Sequence, residues 1–391
     1  MFIYRAFPIC FMKRAYAPLL EDASKYFERV KLGDILLVAS QHILETNRIL
    51  FEYLLRHELR PENTYLVGKC YSTNRVAMRR FQHMGIQVSP ASIAYDSQRP
   101  FDTQFIEYTR RFLEQVRQQT GDRAYRRIVV LEDGGELMTR AFTMFHGRSR
   151  VVGIEQTSAG FHRLSRRELN LPVINVARSN AKLELESPEI ARAFKLRLNQ
   201  GLAQLHLQPR SALILGSGAL GSALIRCLES SFRTKSFDRI PLLSDFAARL
   251  LPTIIRDQDL IVGATGETSI PQRLHGLLRP GTVLASASSS DREFDAVHFR
   301  RANAPSGDCH ETVSCQGVHL LNGGFPVNFD GGEHSVSLDR IQITLALLFS
   351  AVCLATTTKA KRGFVDLDAA VQSRLASRFI ALRDKRFPRE C

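Results

Sequence analysis

A chain of 391 residues is long enough for two domains with sizeable cores. Its content of 44% hydrophobic and 24% charged residues is typical of a soluble globular protein. The formal net charge of +14 would suit a polyanionic partner, but the arginines are scattered and no basic run is interleaved with aromatic residues. Nucleic acid is therefore not expected as a partner.

The cysteines and the apolar segments indicate a cytoplasmic protein without a membrane partner. Seven cysteines include no Cys-x-x-Cys pair, which is typical of reduced thiols. The N-terminal segment is interrupted by Arg5, Pro8, Lys13 and Arg14, so it lacks the apolar core of a signal peptide. The apolar stretch 343–355 is shorter than a membrane span of about 20 residues, and we predict a buried helix there.

Strands and helices alternate in the first half of the chain. Strands are predicted at 34–39, 64–68, 127–131, 151–154 and 173–176. Helices are predicted between them, at 43–57, 75–84, 101–119 and 137–145. Such alternation predicts a parallel sheet covered by helices on both faces. An amphipathic helix at 188–205 then connects this region to the next one.

A glycine-rich segment opens the second half. Residues 211–224 read SALILGSGALGSAL, an apolar strand followed by a tight turn and a helix start. Gly216 allows the sharp turn, Gly218 lets a pyrophosphate approach the backbone, and Gly221 lets helix and strand pack closely. Because the three glycines lie between a strand and a helix, they predict a dinucleotide site.

The remaining elements continue the same α/β pattern to the end of the chain. Strands are predicted at 211–215, 259–263 and 282–286, and helices at about 339–356 and 366–382. A ligand cleft is expected at the carboxyl ends of the strands, between the two domains.

Several short motifs resemble those of the adenosylhomocysteinase (S-adenosylhomocysteine hydrolase) family. In chain order they are VASQHILET, KCYSTN, LEDGGEL, EQTSAGFHRL, INVARSNAK, the glycine loop, ATGETSI, SDREFD and GGFPVNFDGGEH. Their shared order is more specific than any one motif, and the resemblance runs from about residue 36 to residue 370. It implies a Rossmann-type NAD-binding domain at 191–337, inserted in a split α/β substrate-binding domain at 1–190. The C-terminal helices, within 338–391, would pack back on the substrate-binding domain.

The resemblance also implies a set of catalytic residues. In that family a tightly held NAD oxidises the 3′-hydroxyl of a nucleoside, which needs a base and an orienting carboxylate. Lys182 would be the base and Glu186 its partner; the alternative is a solvated Lys–Glu pair on a helix. Asp133 would bind or deprotonate a ribose hydroxyl, or else only form an Asp-Gly turn. His42 would protonate the departing 5′ group, or else be structural.

Further residues are implied to bind the substrate and the cofactor. Glu45 would face the adenine, Gln156 would bind ribose hydroxyls, and His334 would close over the site. Asp238 would bind the adenosine ribose and favour NAD over NADP, a preference that the adjacent Arg239 weakens. The remaining contacts, on the nicotinamide side, would come from Thr157, Ser158, Thr265 and Asn328.

Three positions depart from the family pattern. Gln156 stands where the family has a glutamate, Ala191 where it has a cysteine, and Ser289 where it has a histidine. The Lys182–Glu186 pair implied to act in oxidation is retained despite these departures. The residues implied to act in elimination and hydration are partly lost. The family's C-terminal tail, which reaches a neighbouring subunit, has no counterpart here, so a homo-oligomer is possible but not required.

One further cluster contains metal-binding residue types. Cys309, His310, Cys315 and His319 fall within eleven residues, but the Cys-x5-Cys spacing is wider than that of structural zinc sites. Buried thiols and loop histidines are the better interpretation, and we predict no metal site.

The leading functional hypothesis is an NAD-dependent adenosylhomocysteinase-like enzyme. Its substrate would be a small molecule, S-adenosylhomocysteine or a related nucleoside. One alternative is an NAD- or nucleoside-binding protein without hydrolase activity, in a regulatory role. The other is a small-molecule NAD dehydrogenase.

Overall fold

The computed structural model describes residues 17–386, apart from residues 146, 148, 149 and 361. The segment on which the signal-peptide prediction rests and the C-terminal tail at 387–391 lie outside the described residues. The strands are β1 (Ile35–Ser40), β2 (Thr64–Val67), β3 (Gln87–Val88), β4 (Arg127–Glu132), β5 (Val151–Glu155), β6 (Pro172–Asn175), β7 (Ser211–Leu215), β8 (Arg233–Phe237), β9 (Leu260–Gly263), β10 (Val283–Ser286), β11 (Val313–Cys315), β12 (Val318–Leu320) and β13 (Gly363–Asp366). The α-helices are α1 (Pro18–Tyr26), α2 (Glu45–Arg56), α3 (Arg75–His83), α4 (Phe101–Thr120), α5 (Glu136–Met144), α6 (Ser158–Ser165), α7 (Asn180–Gln204), α8 (Ala219–Leu228), α9 (Leu251–Arg256), α10 (Ala296–Arg301), α11 (Leu338–Thr357) and α12 (Ala369–Arg386).

The first sheet has seven parallel strands in the order β13-β6-β5-β4-β1-β2-β3. Its central strands are apolar and buried along their whole length, because helices cover both faces of the sheet. Strand order reverses at β1, which pairs with β2 on one side and β4 on the other. Ligands of such sheets bind at the carboxyl edge, at that point of reversal.

The second sheet has six strands in the order β11-β12-β10-β9-β7-β8. All pairs are parallel except β11 with β12. Here the order reverses at β7, the strand that leads into the glycine loop. The predicted fold class, α/β with two sheets and a Rossmann-type half, is confirmed by this topology.

One long helix, α7, links the halves of the molecule, and a second, α11, lies in the core of the first half. Helix α7 contacts α8 of the second half as well as α11 and α12 of the first. Helix α11 packs on α1, α2, α7 and α12 and against β4 and β5. In the described residues it is the one helix long and apolar enough to cross a membrane, yet 72% of its most apolar window is buried. The predicted buried helix at 343–355 is therefore confirmed as a core helix of the first half.

Most predicted elements lie within two residues of their predicted bounds, and the differences have physical causes. The connecting helix predicted at 188–205 begins eight residues earlier, at Asn180, and continues through Pro188. The helix predicted at 366–382 begins at Ala369, because residues 363–366 pair with β6 as an edge strand. Strand β8, with the sequence RTKSF, was not among the predicted strands, because an edge strand keeps polar side chains in solvent.

A buried polar contact fixes one half against the other. Arg300 of the second half pairs with Asp291 at 2.6 Å and donates to the backbone oxygen of Ser97 in the first half at 2.9 Å. Asp291 in turn accepts from the backbone N–H of Phe101, at the start of α4, at 3.1 Å. Charge-assisted hydrogen bonds of this kind are strong when buried, so they hold the two carboxyl edges facing a common space.

Candidate functional site

The carboxyl edges of both sheets line one cavity of about 1440 Å³. Loops that follow β1, β4, β5 and β6 contribute from the first sheet, and loops that follow β7 to β10 contribute from the second. The sequence-predicted residues in its lining are His42, Asp133, Gln156, Thr157, Ser158, Lys182, Glu186, Gly216, Gly218, Asp238, Thr265 and Asn328. Residues far apart in the chain are thus brought to one space.

The glycine loop has the geometry of a phosphate cradle. Gly216 has φ +97°, and a Cβ there would lie 2.8 Å from the backbone oxygen of Ala264. A Cβ on Gly221 would lie 1.8 Å from the backbone oxygen of Gly216, so only glycine lets the helix approach the strand. Gly218 has nothing within 4 Å of a Cβ position, which leaves its backbone open to the cavity. These observations fit a bound pyrophosphate at the start of α8.

Asp238 lies beside this loop at the end of β8. Its carboxylate accepts from the backbone N–H of Ser217 at 2.8 Å and from that of Ile240 at 2.9 Å. An acidic residue at this place is positioned to bind the hydroxyls of an adenosine ribose. The adjacent Arg239 pairs with Glu267 at 2.5 Å, although its side chain is 77% exposed and Glu267 also pairs with Arg166.

Glu293 holds the loop that follows β9, and sequence reasoning missed it. It is fully buried and accepts from the backbone N–H groups of Thr265 and Gly266, both at 2.7 Å, and from the Thr265 hydroxyl at 2.9 Å. Burial raises its pKa against these hydrogen bonds. The Thr265 hydroxyl is hydrogen-bonded to Glu293, so its predicted contact with a nicotinamide remains a prediction. The SDREFD motif, in which Glu293 lies, was the available sequence signal.

Lys182 and Glu186 form an ion pair one turn apart on α7. Glu186 also accepts from the Thr344 hydroxyl of α11 at 2.6 Å. Their side chains are only 13% and 10% exposed, and both line the cavity. The alternative of a solvated surface pair is therefore excluded. Thr344 fixes one carboxylate oxygen, and the other oxygen positions the lysine ammonium.

Asp133 is the centre of a buried polar cluster. Its carboxylate contacts Lys69 and Gln156 and lies 3.2 Å from His42 Nε2. Burial alone would raise the pKa of Asp133, but the Lys69 ammonium and the His42 ring more than offset it and hold that pKa well below its usual value. Asp133 thus remains an ionised hydrogen-bond acceptor. It also begins the Asp-Gly turn that was the alternative interpretation of this residue. Lys69, in the KCYSTN motif, was not predicted.

His42 has both ring nitrogens engaged. Its Nδ1 is hydrogen-bonded to the Ser72 hydroxyl at 2.8 Å, while Nε2 faces Asp133, and its ring lies 4.6 Å from that of Phe329. Two hydrogen bonds of this kind fix the orientation of an imidazole. Both contacts are to protein groups, so the role of His42 as a proton donor to a departing group stays a prediction.

Two further buried carboxyl groups lie behind Asp133. Burial raises the pKa of Glu132 to about 7 and that of Glu155 to about 8, where the Glu132 carboxyl adds to the effect. One oxygen of Glu155 accepts from the Thr157 backbone N–H at 2.7 Å, while Oε2 is buried without a partner among the described residues. A Cβ on Gly160 would lie 2.3 Å from that carboxyl group. Thr157 is thus held by Glu155, and it caps α6 by accepting from the Gly160 N–H at 3.0 Å.

Replacing Glu155 by glutamine is expected to flatten the pH dependence of stability. The folded-state pKa lies above the ordinary value of 4.5, so folding takes up a proton and stability falls as pH rises from about 4.5 to 8. Glutamine cannot ionise, so the variant should lose about 1.4 kcal/mol per pH unit of this decline. Denaturant unfolding at pH 5 to 9 measures it, with exposed Glu114→Gln as the control. Parallel pH profiles of wild type and Glu155→Gln would contradict the assignment.

Two predicted substrate-binding residues are not brought into the cavity lining. Glu45 pairs with Arg48 at 2.6 Å and Arg80 at 2.9 Å, and these arginines lower its pKa against the effect of burial. His334 is exposed. Binding of the adenine by Glu45 and closure of the site by His334 remain predictions. In the structure Glu45 instead forms ion pairs with two arginines.

The three departures from the family pattern fall in different surroundings. Gln156 donates to Asp133, and its Oε1 is buried without a partner among the described residues. Ala191 is buried in the core between α7 and the second sheet. Ser289 lines the cavity, as does Asn328, which is itself buried.

The cysteine and histidine residues of the 309–319 segment contact different partners rather than one another as a single cluster. Cys309 contacts the Cys70 thiol of the first half, and hydrogen bonds from Cys70 and His310 lower its pKa to about 6 against burial. His310 bonds to Asn322 at 2.9 Å, and His319 to Ser314 at 2.8 Å. In the part of the chain that the structure describes, no three potential ligands converge on one point.

No model of a known protein family matches this sequence. Two uncharacterized proteins of Mycobacterium tuberculosis, MT0113 and Rv0104, are each 40% identical to it over 338 residues. The match covers 83% of this chain and 66% of theirs, so the chain spans slightly less than two thirds of these relatives.

The solved structures that resemble this fold are more distant. A dipicolinate synthase structure from Bacillus halodurans has a TM-score of 0.44 at 10% identity, covering 85% of this chain and 99% of its own. A cofactor (NAD+)-bound 3-phosphoglycerate dehydrogenase from Entamoeba histolytica has a TM-score of 0.39 at 10% identity, covering 78% and 99%. A transhydrogenase from Sinorhizobium meliloti has a TM-score of 0.35 at 11% identity, covering 83% and 92%. The two-sheet architecture of this protein rests on its own sheet topology.

Proposed function

We propose that this chain is an NAD-dependent enzyme that oxidises the 3′-hydroxyl of a nucleoside, with S-adenosylhomocysteine or a related nucleoside as substrate. One observation carries the proposal. The Lys182–Glu186 pair and the Asp133 cluster line the same cavity as Gly216 and Gly218. A base, a hydroxyl acceptor and a dinucleotide cradle in one space are what such an oxidation requires.

The contacts support a role for each residue. Bound NAD would supply the oxidising equivalent at the 3′ carbon. Lys182 Nζ would have to be a neutral amine to accept the proton of the hydroxyl, while Glu186, fixed by Thr344, orients that nitrogen. The ionised Asp133 accepts a hydrogen bond from a ribose hydroxyl, and His42 delivers a proton to the departing group. The glycine loop and Asp238 hold the pyrophosphate and the adenosine ribose.

The second candidate is an NAD- or nucleoside-binding protein without hydrolase activity. It is favoured by the pairing of Asp133 with Lys69 and with the Gln156 amide, which leaves one negative charge where two carboxylates would act in the resembling family. The third candidate is a small-molecule dehydrogenase, which would bind NAD at the same glycine loop. Unlike the proposed enzyme, it would release its reduced cofactor into solution.

Loading the purified full chain with NAD separates the three. The proposal expects cofactor reduction on adding adenosine, with the reduced cofactor still bound after gel filtration, and hydrolysis of S-adenosylhomocysteine. Retained NAD and tight adenosine binding without either reaction would favour the binding protein. Reduced cofactor free in solution would favour the dehydrogenase. Failure to bind both NAD and adenosine would remove the proposal.

A further inference from the structure

The lining of the cavity is rich in arginine. Among the described residues it carries seven arginines and one lysine, against five carboxylates. A cavity wall with surplus positive charge attracts anions, because low-dielectric walls focus the field. The pyrophosphate of NAD would offset two positive charges at the glycine loop in the second half. The nucleoside of the proposed function carries no net charge and would offset none in the first half.

Most of these arginines already have a carboxylate partner. The pairs are Arg163 with Glu136 at 3.0 Å, Arg292 with Asp102 at 2.8 Å, Arg239 with Glu267 at 2.5 Å and Arg166 with Glu267 at 3.3 Å. No carboxylate of the described residues lies within 4.0 Å of the guanidinium groups of Arg167, Arg178 and Arg273. Of these three, Arg167 and Arg178 belong to the first half.

Arg178 is exposed, and among the described residues it has no carboxylate partner within 4.0 Å and one aromatic contact. It lies in the loop between β6 and α7, four residues before Lys182, and its backbone N–H donates to Asn175 Oδ1 at 3.1 Å. Its guanidinium carbon lies 5.7 Å from the ring centroid of Phe161 on α6. Such a contact orients a guanidinium while leaving its N–H donors free. Arg167 follows the same helix α6, so both line the first-half wall.

We propose that this wall binds a phosphate group of the substrate, which makes the substrate a nucleotide. The inference rests on the proposed function and narrows its substrate class. Two arginines without carboxylate partners match a doubly charged group, and the guanidinium fork pairs with phosphate oxygens in bidentate fashion. The amino-acid tail of S-adenosylhomocysteine is a poorer match, because its carboxylate carries a single negative charge and its ammonium group adds a positive charge beside the arginines.

Calorimetric titration of the NAD-saturated full chain tests the proposal, since saturating NAD keeps nucleotides out of the dinucleotide site. We expect 5′-AMP to bind at least about tenfold more tightly than adenosine or S-adenosylhomocysteine, with an affinity that falls as salt is added. Arg178→Ala and Arg167→Ala should each lower the 5′-AMP affinity about tenfold and leave the adenosine affinity unchanged. Arg117→Ala, an exposed arginine of α4 outside the cavity, is the matched control.

The outcomes separate this inference from the proposed function. If NAD and adenosine bind but 5′-AMP binds no more tightly than adenosine, the phosphate subsite is wrong and the proposed function stands. Tighter binding of S-adenosylhomocysteine than of 5′-AMP would likewise overturn it in favour of an amino-acid tail. If NAD does not bind, the proposed function fails. The subsite is then tested by inorganic phosphate, whose binding should depend on Arg178 but not on Arg117.

Discussion

Replacing Lys182 by methionine is expected to lower the rate of NAD reduction by about 10²–10⁴-fold, the range typical of a lost general base. Methionine preserves the length and much of the volume of the side chain but cannot accept a proton. The ion pair with Glu186 is removed, while the hydrogen bond from Thr344 to Glu186 remains. NAD binding should be unchanged, because the glycine loop is not altered. Stopped-flow absorbance of NAD-loaded protein mixed with adenosine measures the rate.

The controls use the same helix and the same ion pair. Lys195→Met removes a lysine of α7 that bonds to Cys227 O and Ser230 outside the cavity, and its rate should match wild type. Glu186→Gln should retain more activity than Lys182→Met, because the amide can still orient the lysine by a hydrogen bond. A wild-type rate in Lys182→Met would show that another group takes the proton.

Substitution of two glycines of the same loop by alanine is expected to affect two different properties, NAD binding at Gly218 and stability of the fold at Gly221. Gly218→Ala places a methyl group in open space on the protein side, with φ −65° that alanine readily adopts, so stability should be unchanged. The same methyl group would stand between the backbone and a pyrophosphate. Loss of hydrogen bonds to a charged group costs about 1.5–3 kcal/mol, which weakens NAD binding roughly 10- to 100-fold.

Gly221→Ala should instead destabilise the fold, since its Cβ would lie 1.8 Å from the Gly216 oxygen and must displace α8 from the strand. Overpacking of this kind costs about 1–3 kcal/mol or more. Thermal unfolding without ligand and NAD titration measure the two effects. Exposed Gly307→Ala, with nothing within 4 Å, controls for the substitution itself. Unchanged NAD affinity in Gly218→Ala would place the dinucleotide elsewhere.

The sheets could largely be predicted because buried parallel strands are continuous apolar runs. Residues 128–131 and 212–215 are such runs, and both lie in strands at the predicted places. Strand β13 escaped prediction, and the polar segment that forms β8 left its register undecided, because edge strands are short or polar and depend on a neighbour for pairing. The glycine loop was predictable for a different reason, since its three glycines answer local steric demands that the sequence states directly.

The functional site was predictable only in part, because contacts between distant residues leave no local pattern. Lys69 meets Asp133 across 64 positions, and nothing in the KCYSTN motif indicates that a lysine lies buried there. Glu45 looks like a free carboxylate in the sequence, but its partner Arg80 comes from another helix. The raised pKa of Glu155 likewise arises from burial and from Glu132 on the adjacent strand.

The sequence alone determines the two sheets, the glycine loop and the residue types available at each strand end. Apolar periodicity and glycine sterics act within a few residues of chain, so they can be read locally. The packing of the folded chain decides which of those residues share a cavity, which carboxylates stay ionised and which arginines lack a counter-charge. Those properties depend on distance, burial and the sign of neighbouring charges, which are set when remote segments come together.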